Sequence, residues 1–257
     1  MRDPGLSAAI QAVGGVSELA RRVGISQPSV SNWDKVPAER VLAVESVTGV
    51  PRAQLRPDLY RTQPGANLDE VDLARVQEYA LLSALLARAP DKDLLARIAR
   101  IGGDASPLGV AHVALAEAAT QADAGKIERE YFDLFIGLGR GELLPYGSYY
   151  LTGFLNERPL ARLRDDLADF GVERVEGNYE PEDHAATLCE IMAGLIAQRF
   201  PAPEGAQRRL FDKHMAPWIG RFFADLERAD AAEFYRHVGT AGRVFIDIET
   251  EAFALPG

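Results

Sequence analysis

The stretch EPEDHAATLCEIMAGLIAQR, residues 180–199, predicts a long buried helix in the larger part of this chain. Pro181 followed by two acidic residues is typical of a first helical turn, so we place the helix over residues 181–199. Its buried face is marked by residues at helical spacing, namely His184, Leu188, Ile191 and Leu195. In that first turn the helix dipole favours the carboxylate of Asp183 by roughly 0.3–1 kcal/mol, so capping would be sufficient to explain this residue.

The sequence on both sides of this stretch is helical as well. Runs of β-branched residues with alternating polarity are missing, whereas helix start and stop signals recur, such as Ser106-Pro107 and Gly171. We predict helices over residues 71–88, 91–101, 107–122, 125–138, 148–155, 158–170, 181–199, 204–213, 215–228 and 231–253. Short loops between many amphipathic helices indicate an all-α bundle.

A second, shorter pattern lies near the start of the chain, in residues 17–33, SELARRVGISQPSVSNW. Gly24 suits the left-handed residue of a tight turn, and Ser26 suits the cap of a following helix. The inward positions of the two helices are apolar, namely Leu19, Ala20, Val23, Val30 and Trp33. This order of signals predicts a helix-turn-helix.

Composition and charge limit the function. The 257 residues carry a net charge of −10, with one cysteine, Cys189, so a disulfide scaffold and a zinc site built on cysteine pairs are excluded. No signal peptide is recognisable at the start, and no apolar run approaches the about 20 residues of a membrane helix. We therefore expect a cytoplasmic protein that has no contact with the membrane.

The charge is unevenly distributed along the chain. Residues 1–60 hold seven basic and six acidic side chains, whereas the remainder holds 21 basic and 32 acidic ones. The polar residues 61–67 lack an apolar period and are typical of a linker. We predict a helix-turn-helix domain over residues 1–60, a linker over residues 61–70 and a helical domain over residues 71–257.

Residues 6–60 resemble the Cro/YdaS-like helix-turn-helix proteins. The resemblance implies DNA binding, with polar side chains of the second helix facing the bases and basic ones facing phosphates. The first set is Gln27, Ser29, Ser31 and Asn32, and the second is Arg21, Arg22 and Lys35. Because the second helix has no basic residue before Lys35, one copy would bind weakly and a homodimer would be needed. The alternative is a stable helical bundle whose polar surface binds nothing.

Four segments in the right order carry a second resemblance. They are EYFDLFIG (residues 130–137), PYGSYY (145–150), EPEDH (180–184) and HMAPW (214–218). Together they are similar to the TorD/DmsD/NarJ family of redox-enzyme maturation chaperones, over about residues 76–255. Many members have Glu where this chain has Gly147, although DmsD-like members also have Gly there. The family fold is an all-helical bundle, in agreement with the helical pattern above.

This resemblance implies a groove for the leader peptide of a redox enzyme. The residues that it assigns to leader binding are Tyr131, Phe135, Pro145, Tyr146, Ser148, Tyr149, Glu180, Pro181, Asp183 and His184. Aromatic rings with one polar edge, as in Tyr146 and Tyr149, suit an apolar peptide at a wet groove. Leu134 and Leu138 continue the helical face of Tyr131 and are predicted to be core. For His214, a structural role near the Pro217-Trp218 helix is the simplest interpretation.

The function predicted from these observations is that of a chaperone. It would bind the twin-arginine leader of a molybdoenzyme, such as a formate dehydrogenase or an N- or S-oxide reductase, and assist cofactor insertion and assembly of the apo-enzyme. A transcription regulator that senses leader peptide or unassembled enzyme is an alternative, and both roles could coexist. An enzyme is disfavoured, because the four histidines are dispersed and no nucleophile or metal-ligand pair stands out. We expect no catalytic residue, no metal site and no bound cofactor.

Overall fold

The structure is a computed structural model that describes residues 3–57, 68–174 and 180–255. Contacts divide the chain into two compact units, Met1–Ala66 and Asn67–Gly257. The described residues form helices and no strands, apart from one isolated bridge between Tyr146 and His184, so the all-α prediction is confirmed. None of their helices is long and apolar enough to cross a bilayer. The predicted linker lies outside the described residues up to residue 67.

The first unit is a small helical bundle. Its helices are α1 (Pro4–Val13), α2 (Val16–Val23), α3 (Gln27–Ser31), a 3₁₀ turn (Ala38–Arg40), α4 (Val41–Thr48) and α5 (Arg52–Leu55). Gly24 ends α2 with a φ of 77°, and the Ser26 hydroxyl accepts a hydrogen bond from the backbone N–H of Ser29 at 3.4 Å. Leu19 and Val30 are fully buried, and Trp33 packs partly buried against them. The predicted helix-turn-helix is therefore confirmed.

The second unit contains α6 (Glu70–Ala87), α7 (Lys92–Ile98), α8 (Pro107–Gln121), α9 (Ala124–Tyr131), α10 (Gly147–Thr152), α11 (Arg158–Asp169), α12 (Ala185–Ile196), α13 (Ala206–Leu210), α14 (Ile219–Arg228) and α15 (Phe234–Ala254). Helix α12 packs along α6, while α15 packs against both α14 and α8. Most bounds agree with the sequence prediction within two or three residues. The exceptions fall at π-helical turns and at the start of α12.

One buried ion pair fixes α6 to α15. The guanidinium of Arg75 donates to both carboxylate oxygens of Glu249, at 2.7 and 2.8 Å, and the Tyr79 hydroxyl donates to Oε2 at 2.9 Å. Glu249 is 1% exposed, so its charge depends on these donors rather than on water. Arg75 and Glu249 are 174 residues apart in sequence, and no sequence pattern predicts that they pair.

The predicted core position of Leu138 is wrong. Leu134 is fully buried as expected, but Leu138 is 98% exposed. Helix α9 continues as a π-helical turn over Phe132–Ile136, and the chain then turns at Gly137 with a φ of 61°. A π turn holds more residues than an α turn, so the spacing that placed Leu138 inward no longer applies. Leu138, seven residues after Tyr131, therefore lies beyond the end of the helix.

A second polar contact between helices predicts a pH dependence. Nε2 of His112 (α8) lies 2.8 Å from Oε2 of the buried Glu78 (α6), and this hydrogen bond raises the pKa of His112 above its ordinary value. A raised folded-state pKa adds stability that is complete below the unfolded value of about 6.5 and disappears as pH rises through the folded value. We expect His112→Gln to cost the most stability at acidic pH and progressively less above neutrality.

Urea unfolding at several pH values would measure this effect. Glu78→Gln is the matched variant, because it keeps a hydrogen-bonding group beside His112 but removes the charge. Both variants should flatten the same part of the pH profile. A difference between wild type and His112→Gln that stays constant with pH would contradict the assignment.

Candidate functional site

Two distant segments meet where the sequence predicted a groove. The backbone N–H of Ala185 donates to the carbonyl of Pro145 at 2.8 Å, and the N–H of Gly147 donates to the carbonyl of Asp183 at 2.9 Å. These bonds form the isolated antiparallel bridge between Tyr146 and His184. The pairing brings the start of α10 against the residues before α12. Two of the motifs singled out in the sequence are therefore neighbours in space.

The prediction that Asp183 caps its own helix is wrong. Helix α12 begins at Ala185, not at residue 181, and His184 caps it by accepting a hydrogen bond from the N–H of Ala186 on Nδ1 at 3.1 Å. The Asp183 carboxylate caps a different helix, because its Oδ2 accepts from the N–H of Ser148 in α10 at 2.6 Å. Backbone pairing with residues 145–147 holds residues 183 and 184 outside the helix.

Asp183 and Ser148 both carry unused hydrogen-bonding atoms. Asp183 is 3% exposed and Ser148 is fully buried. Neither Oδ1 of Asp183 nor the hydroxyl of Ser148 has a hydrogen-bond partner among the described residues. A buried polar atom without a hydrogen-bond partner costs roughly 1–3 kcal/mol of folding stability. Oδ1 of Asp183 and the Ser148 hydroxyl therefore destabilise the folded unit.

Tyr146 and His184 pack edge to face, with ring centroids 5.0 Å apart. The Tyr146 hydroxyl donates a hydrogen bond to the Glu180 carboxylate. Burial raises the pKa of Tyr146, and Glu180 adds to the shift, so the phenol stays protonated at neutral pH. Burial lowers the pKa of His184, which is 8% exposed and lies on the buried side as predicted. Both rings are therefore uncharged at neutral pH.

A cleft of about 470 Å³ opens beside Asp183, and we call it the Asp183 cleft. It is lined by Gly147, Leu151, Pro159, Arg162, Leu163, Asp165, Asp166, Asp183, Lys213, His214 and Trp218. Helix α13 continues as a π-helical turn over Phe211–Met215. This turn contains Lys213 and His214, which line the cleft. Such turns occur often at functional sites, and the sequence gives no signal for this one.

Hydrogen bonds hold the wall of the Asp183 cleft in place. Nε2 of His214 lies 2.7 Å from Oδ2 of Asp166, and the Trp218 indole N–H donates to the carbonyl of His214 at 2.7 Å. Burial lowers the pKa of His214, although Asp166 opposes the shift. The pKa of Asp166 is also lowered, because hydrogen bonds from His214 and Lys213 outweigh the effect of burial. His214 is thus neutral at neutral pH, and its contacts with Asp166 and Trp218 fix its position in the wall of the cleft.

A second cleft, of about 340 Å³, lies between α11 and the start of α12, and we call it the Glu180 cleft. Its apolar lining consists of Leu167, Ala168, Val172, Ile191 and Phe200, and its acidic lining of Glu173, Glu180, Glu182 and Glu190. Two arginines also line it: Arg164 donates to Glu182 at 2.9 Å and Arg174 donates to the carbonyl of Glu180 at 3.0 Å. The cleft combines an apolar lining with an excess of negative charge.

The predicted leader-binding residues do not all meet in one place. Asp183 lines the first cleft and Glu180 the second. Pro145, Tyr146 and His184 belong to the paired segments, and Ser148 and Pro181 lie next to those segments in the chain. Three others line neither cleft. Tyr131 and Phe135 pack on Tyr235, with ring centroids 5.8 and 5.4 Å from it, and Tyr149 stacks under the guanidinium of Arg140 at 5.0 Å.

The first unit presents the predicted DNA-facing residues on its surface. Gln27, Ser29, Ser31 and Asn32 are exposed, and so are Arg21, Arg22 and Lys35. Arg21 and Arg22 both contact the single carboxylate of Glu18, at 2.6 and 2.8 Å. Their hydrogen bonds, that from Arg21 first, lower the pKa of Glu18 to about 2. The two arginines predicted to contact phosphates are therefore already paired within the unit.

The described residues contain no group of three or more His, Cys, Asp or Glu side chains arranged to hold a metal ion. Cys189 is fully buried, and burial raises the pKa of its thiol, which keeps it protonated. Neither observation identifies a reactive centre in this part of the chain.

Two protein families match the chain, one in each of its two units. Residues 102–224 match the family described as nitrate reductase delta subunit, and residues 6–64 match the family described as bacterial toxin YdaS. The crystal structure of a protein from Archaeoglobus fulgidus, described as a redox enzyme maturation protein, is 24% identical. It covers 66% of this chain and 93% of its own, with a TM-score of 0.46.

Relatives named as chaperone protein TorD are similar over part of the chain. The Vibrio cholerae protein is 28% identical over 130 residues, which are 47% of this chain and 59% of that protein. The Shewanella pealeana protein is 26% identical over 195 residues, 66% of this chain and 85% of its own. The chain therefore spans little more than half of the first of these relatives.

The second unit is thus similar to the TorD/NarJ-like proteins over residues 102–224, and the first is similar to the YdaS-like helix-turn-helix proteins over residues 6–64, as the motifs predicted. Both of the relatives compared above carry the name chaperone protein TorD.

Proposed function

We propose that this chain is a maturation chaperone that holds the twin-arginine leader peptide of a molybdenum-dependent redox enzyme while that enzyme acquires its cofactor and is assembled. The observation that carries the proposal is the pairing of residues 145–147 with residues 183–185, which puts Gly147 and Asp183 in the lining of one cleft while the nearby Glu180 and Glu182 line another. The TorD relatives support the chaperone role. The leader, the client and the assembly step are the proposal.

The Glu180 cleft suits the apolar part of such a leader. Burying one Leu- or Phe-sized side chain against Leu167, Ile191 and Phe200 would gain roughly 1.5–3 kcal/mol. An exposed ion pair gains only about 0.2–1 kcal/mol. Contacts with the apolar lining should therefore supply most of the affinity. The surrounding glutamates would favour a peptide that also carries positive charge.

The charge of the chain fits the same partner. Residues 61–257 hold 21 basic and 32 acidic side chains, so the larger unit attracts a basic peptide. Attraction of this kind mainly raises the association rate and orients the partner. The paired arginines of a leader would then be guided to the clefts, where the apolar contacts retain it.

Fluorescence anisotropy with a labelled twin-arginine leader tests the proposal. Val172 lies half-buried in the Glu180 cleft, so Val172→Asp should weaken binding by about tenfold or more, because a charge replaces an apolar contact. Val110 is an exposed valine on α8, away from both clefts, and Val110→Asp is the matched control that should leave affinity unchanged. Equal binding of the leader and a scrambled peptide by the wild-type protein would refute the proposed function.

A second function is supported by the first unit. The exposed polar face of α3 and the match to the YdaS family suggest that this unit binds DNA, so that the chain also acts as a transcription regulator. Because Glu18 already pairs with Arg21 and Arg22, a single copy would bind weakly and a homodimer would be required. Leader peptide would then couple the two roles if it changed the affinity for DNA.

Glu18→Gln gives a direct test of DNA binding. Removing the carboxylate frees two guanidinium groups for phosphates, so we expect tighter binding and a salt dependence that is steeper by about one to two released ions. Band-shift assays on the region upstream of the chain's own operon, with and without leader peptide, would measure both. Arg52→Gln is the control, since Arg52 pairs with Glu45 on another helix. No band shift with either wild type or Glu18→Gln at low salt would exclude this role.

A further inference from the structure

We infer that the Asp183 cleft receives an exposed loop of a second copy of this chain, and that two copies exchange this loop reciprocally. The loop comprises residues 153–157, between α10 and α11, and we call it the Phe154 loop. The inference goes beyond leader binding and does not depend on it. It assigns an interface to the homodimer that the proposed DNA binding requires.

The Phe154 loop exposes large apolar side chains. Phe154 is 69% exposed and Leu155 is 41% exposed, and all five residues of the loop are exposed. Leu151, near the end of α10, is 43% exposed as well. Single exposed apolar residues are ordinary on protein surfaces, whereas three within five residues form a patch that is suited to contact with another molecule.

Hydrogen bonds and backbone geometry fix the loop in this exposed form. Oγ1 of Thr152 accepts from the N–H of Phe154 at 3.2 Å and donates to the carbonyl of Ser148 at 2.8 Å. Gly153 and Asn156 have left-handed backbone, with φ values of 82° and 60°, so the chain turns sharply on each side of the two apolar residues. A loop that is already ordered loses little conformational entropy when a partner covers it.

The Asp183 cleft offers an apolar surface beside this loop. Leu151 and Pro159, which flank the loop, line the cleft together with Leu163 and Trp218, around a volume of about 470 Å³. Phe154 belongs to the exposed residues of the same chain and not to the lining, so the loop does not fill its own cleft. The apolar walls are therefore available to an apolar group from outside.

A second copy of the chain is the partner that this arrangement fits. The loop and the cleft lie side by side, so a two-fold axis close to both places each loop at the cleft of the other copy. The same contact then forms twice, and the assembly closes at two copies. A partner with a different surface would occupy the cleft but leave Phe154 and Leu155 in need of a second complementary site.

The accessible charges are complementary in the same arrangement. Glu157 and Arg158 follow the apolar residues of the loop, and Arg162 and Asp165 are exposed at the cleft. Loop and cleft thus each carry one accessible charge of either sign. In the dimer Glu157 can face Arg162 of the second copy, while Arg158 faces its Asp165.

The other carboxylates of the cleft do not attract a strongly charged partner. Asp183 is 3% exposed and caps α10. Asp166 is already contacted by three side chains, namely Lys213 at 3.3 Å, Arg209 at 3.4 Å and His214 at 2.7 Å. This balance favours a partner surface that is apolar with few charges of both signs, as the Phe154 loop is.

Sedimentation equilibrium of the full chain, without leader peptide or DNA, tests the inference. We expect wild type to form a dimer with a dissociation constant on the order of micromolar, because the apolar contact is small. Phe154→Asp places a charge in both apolar contacts. Because two-fold symmetry makes each substitution count twice, a loss of about tenfold per contact should weaken dimerisation about a hundredfold.

Val110→Asp is the matched control, because it adds the same charge at an exposed apolar residue that lines neither cleft. We expect this variant to dimerise as wild type does. Both variants should keep the helical circular dichroism of wild type, since both residues are exposed. Wild type that stays monomeric up to about 100 µM, or equal dimerisation by wild type and Phe154→Asp, would overturn the inference.

An exchange of charges tests whether the loop meets the cleft. Glu157→Arg and Arg162→Glu should each weaken dimerisation about tenfold, because each variant creates two contacts between like charges. The double variant Glu157→Arg/Arg162→Glu restores opposite charges across the interface and should recover most of the affinity. A double variant that dimerises no better than either single variant would overturn the pairing. Both residues are exposed, so this arm decides even if Phe154→Asp does not fold.

The outcome is separable from those of the two proposed functions. A leader that entered the same cleft would compete with the second copy, and for this reason peptide is left out. Dimerisation through the Phe154 loop without DNA binding would support this inference and refute only the regulatory role. A monomeric wild type whose Phe154 loop contacts a client enzyme instead would overturn it.

Discussion

Arg75→Ala is expected to lower the free energy of unfolding of the second unit by roughly 3–5 kcal/mol, near the low end of that range. The reason is the environment of Glu249, which is 1% exposed and receives both of its charged hydrogen bonds from Arg75. Removing Arg75 leaves a buried carboxylate with only the Tyr79 hydroxyl as donor. The remaining hydrogen bond is why we expect the lower value.

The fluorescence of Trp218 can report this loss. The chain has two tryptophans, Trp33 in the first unit and Trp218 in the second, so a Trp33→Phe background isolates the second unit during urea unfolding. Arg243→Ala is the control, because its pair with Glu227 is only partly buried, with the side chains 35% and 27% exposed, and should contribute less than about 1 kcal/mol. The double variant Arg75→Met/Glu249→Leu should be more stable than Arg75→Ala, since it buries no unpaired charge. Similar losses for Arg75→Ala and Arg243→Ala would show that Glu249 is not isolated from water.

Trp218→Ala is expected to have a comparable effect and to abolish leader binding. The side chain is 1% exposed, and its ring lies 5.4 Å from Tyr150 and 6.1 Å from Phe222 between centroids. Truncating such a buried aromatic residue costs roughly 3–5 kcal/mol. It also removes a wall of the Asp183 cleft and the hydrogen bond to the carbonyl of His214.

Trp33 fluorescence and the loss of helical circular dichroism would separate the two units in this variant. The transition of the first unit should be unchanged, while that of the second should move to lower urea concentration. Trp218→Phe keeps most of the apolar contact and loses the indole N–H, so we expect a clearly smaller loss. If Trp218→Ala and Trp218→Phe are equally destabilised, packing is not the main contribution of this residue.

The close approach of Gly147 to Trp218 explains one departure from the family pattern. A Cβ placed on Gly147 would lie 2.9 Å from the Trp218 indole nitrogen, which is too close without a shift of the ring. The glutamate found there in many TorD-like proteins therefore does not fit this arrangement. The sequence showed the departure, but only the contact gives its reason.

Local signals explain why much of the fold could be predicted. The turn at Gly24 and the cap at Ser26 depend on neighbouring backbone groups, so the helix-turn-helix was readable from seventeen residues. The helices of the second unit follow from the 3.6-residue period of their apolar side chains and from caps such as Ser106. Predictions of this type hold because their causes lie within one or two helical turns.

The two wrong predictions, for Leu138 and Asp183, concern features that the local sequence does not determine. Leu138 was expected in the core because the sequence does not reveal a π turn, and that turn shifts every later position. Asp183 was expected to cap α12, whereas its carboxylate caps α10, which is thirty-five residues earlier in the chain. Local sequence favours helix at residues 181–184, but the bridge to residues 145–147 prevents it.

The sequence by itself determined the helical class, the helix-turn-helix and the segments that meet near Tyr146 and His184, because each depends on short-range periodicity, capping or motif identity. Only the tertiary structure decided that Asp183 retains an unused oxygen, that His214 and Trp218 stand beside it, and that Glu249 is neutralised by Arg75. These features join residues that lie tens to more than a hundred positions apart. Burial, which sets the cost of an unpaired charge, is a property of the assembled fold and not of any single stretch.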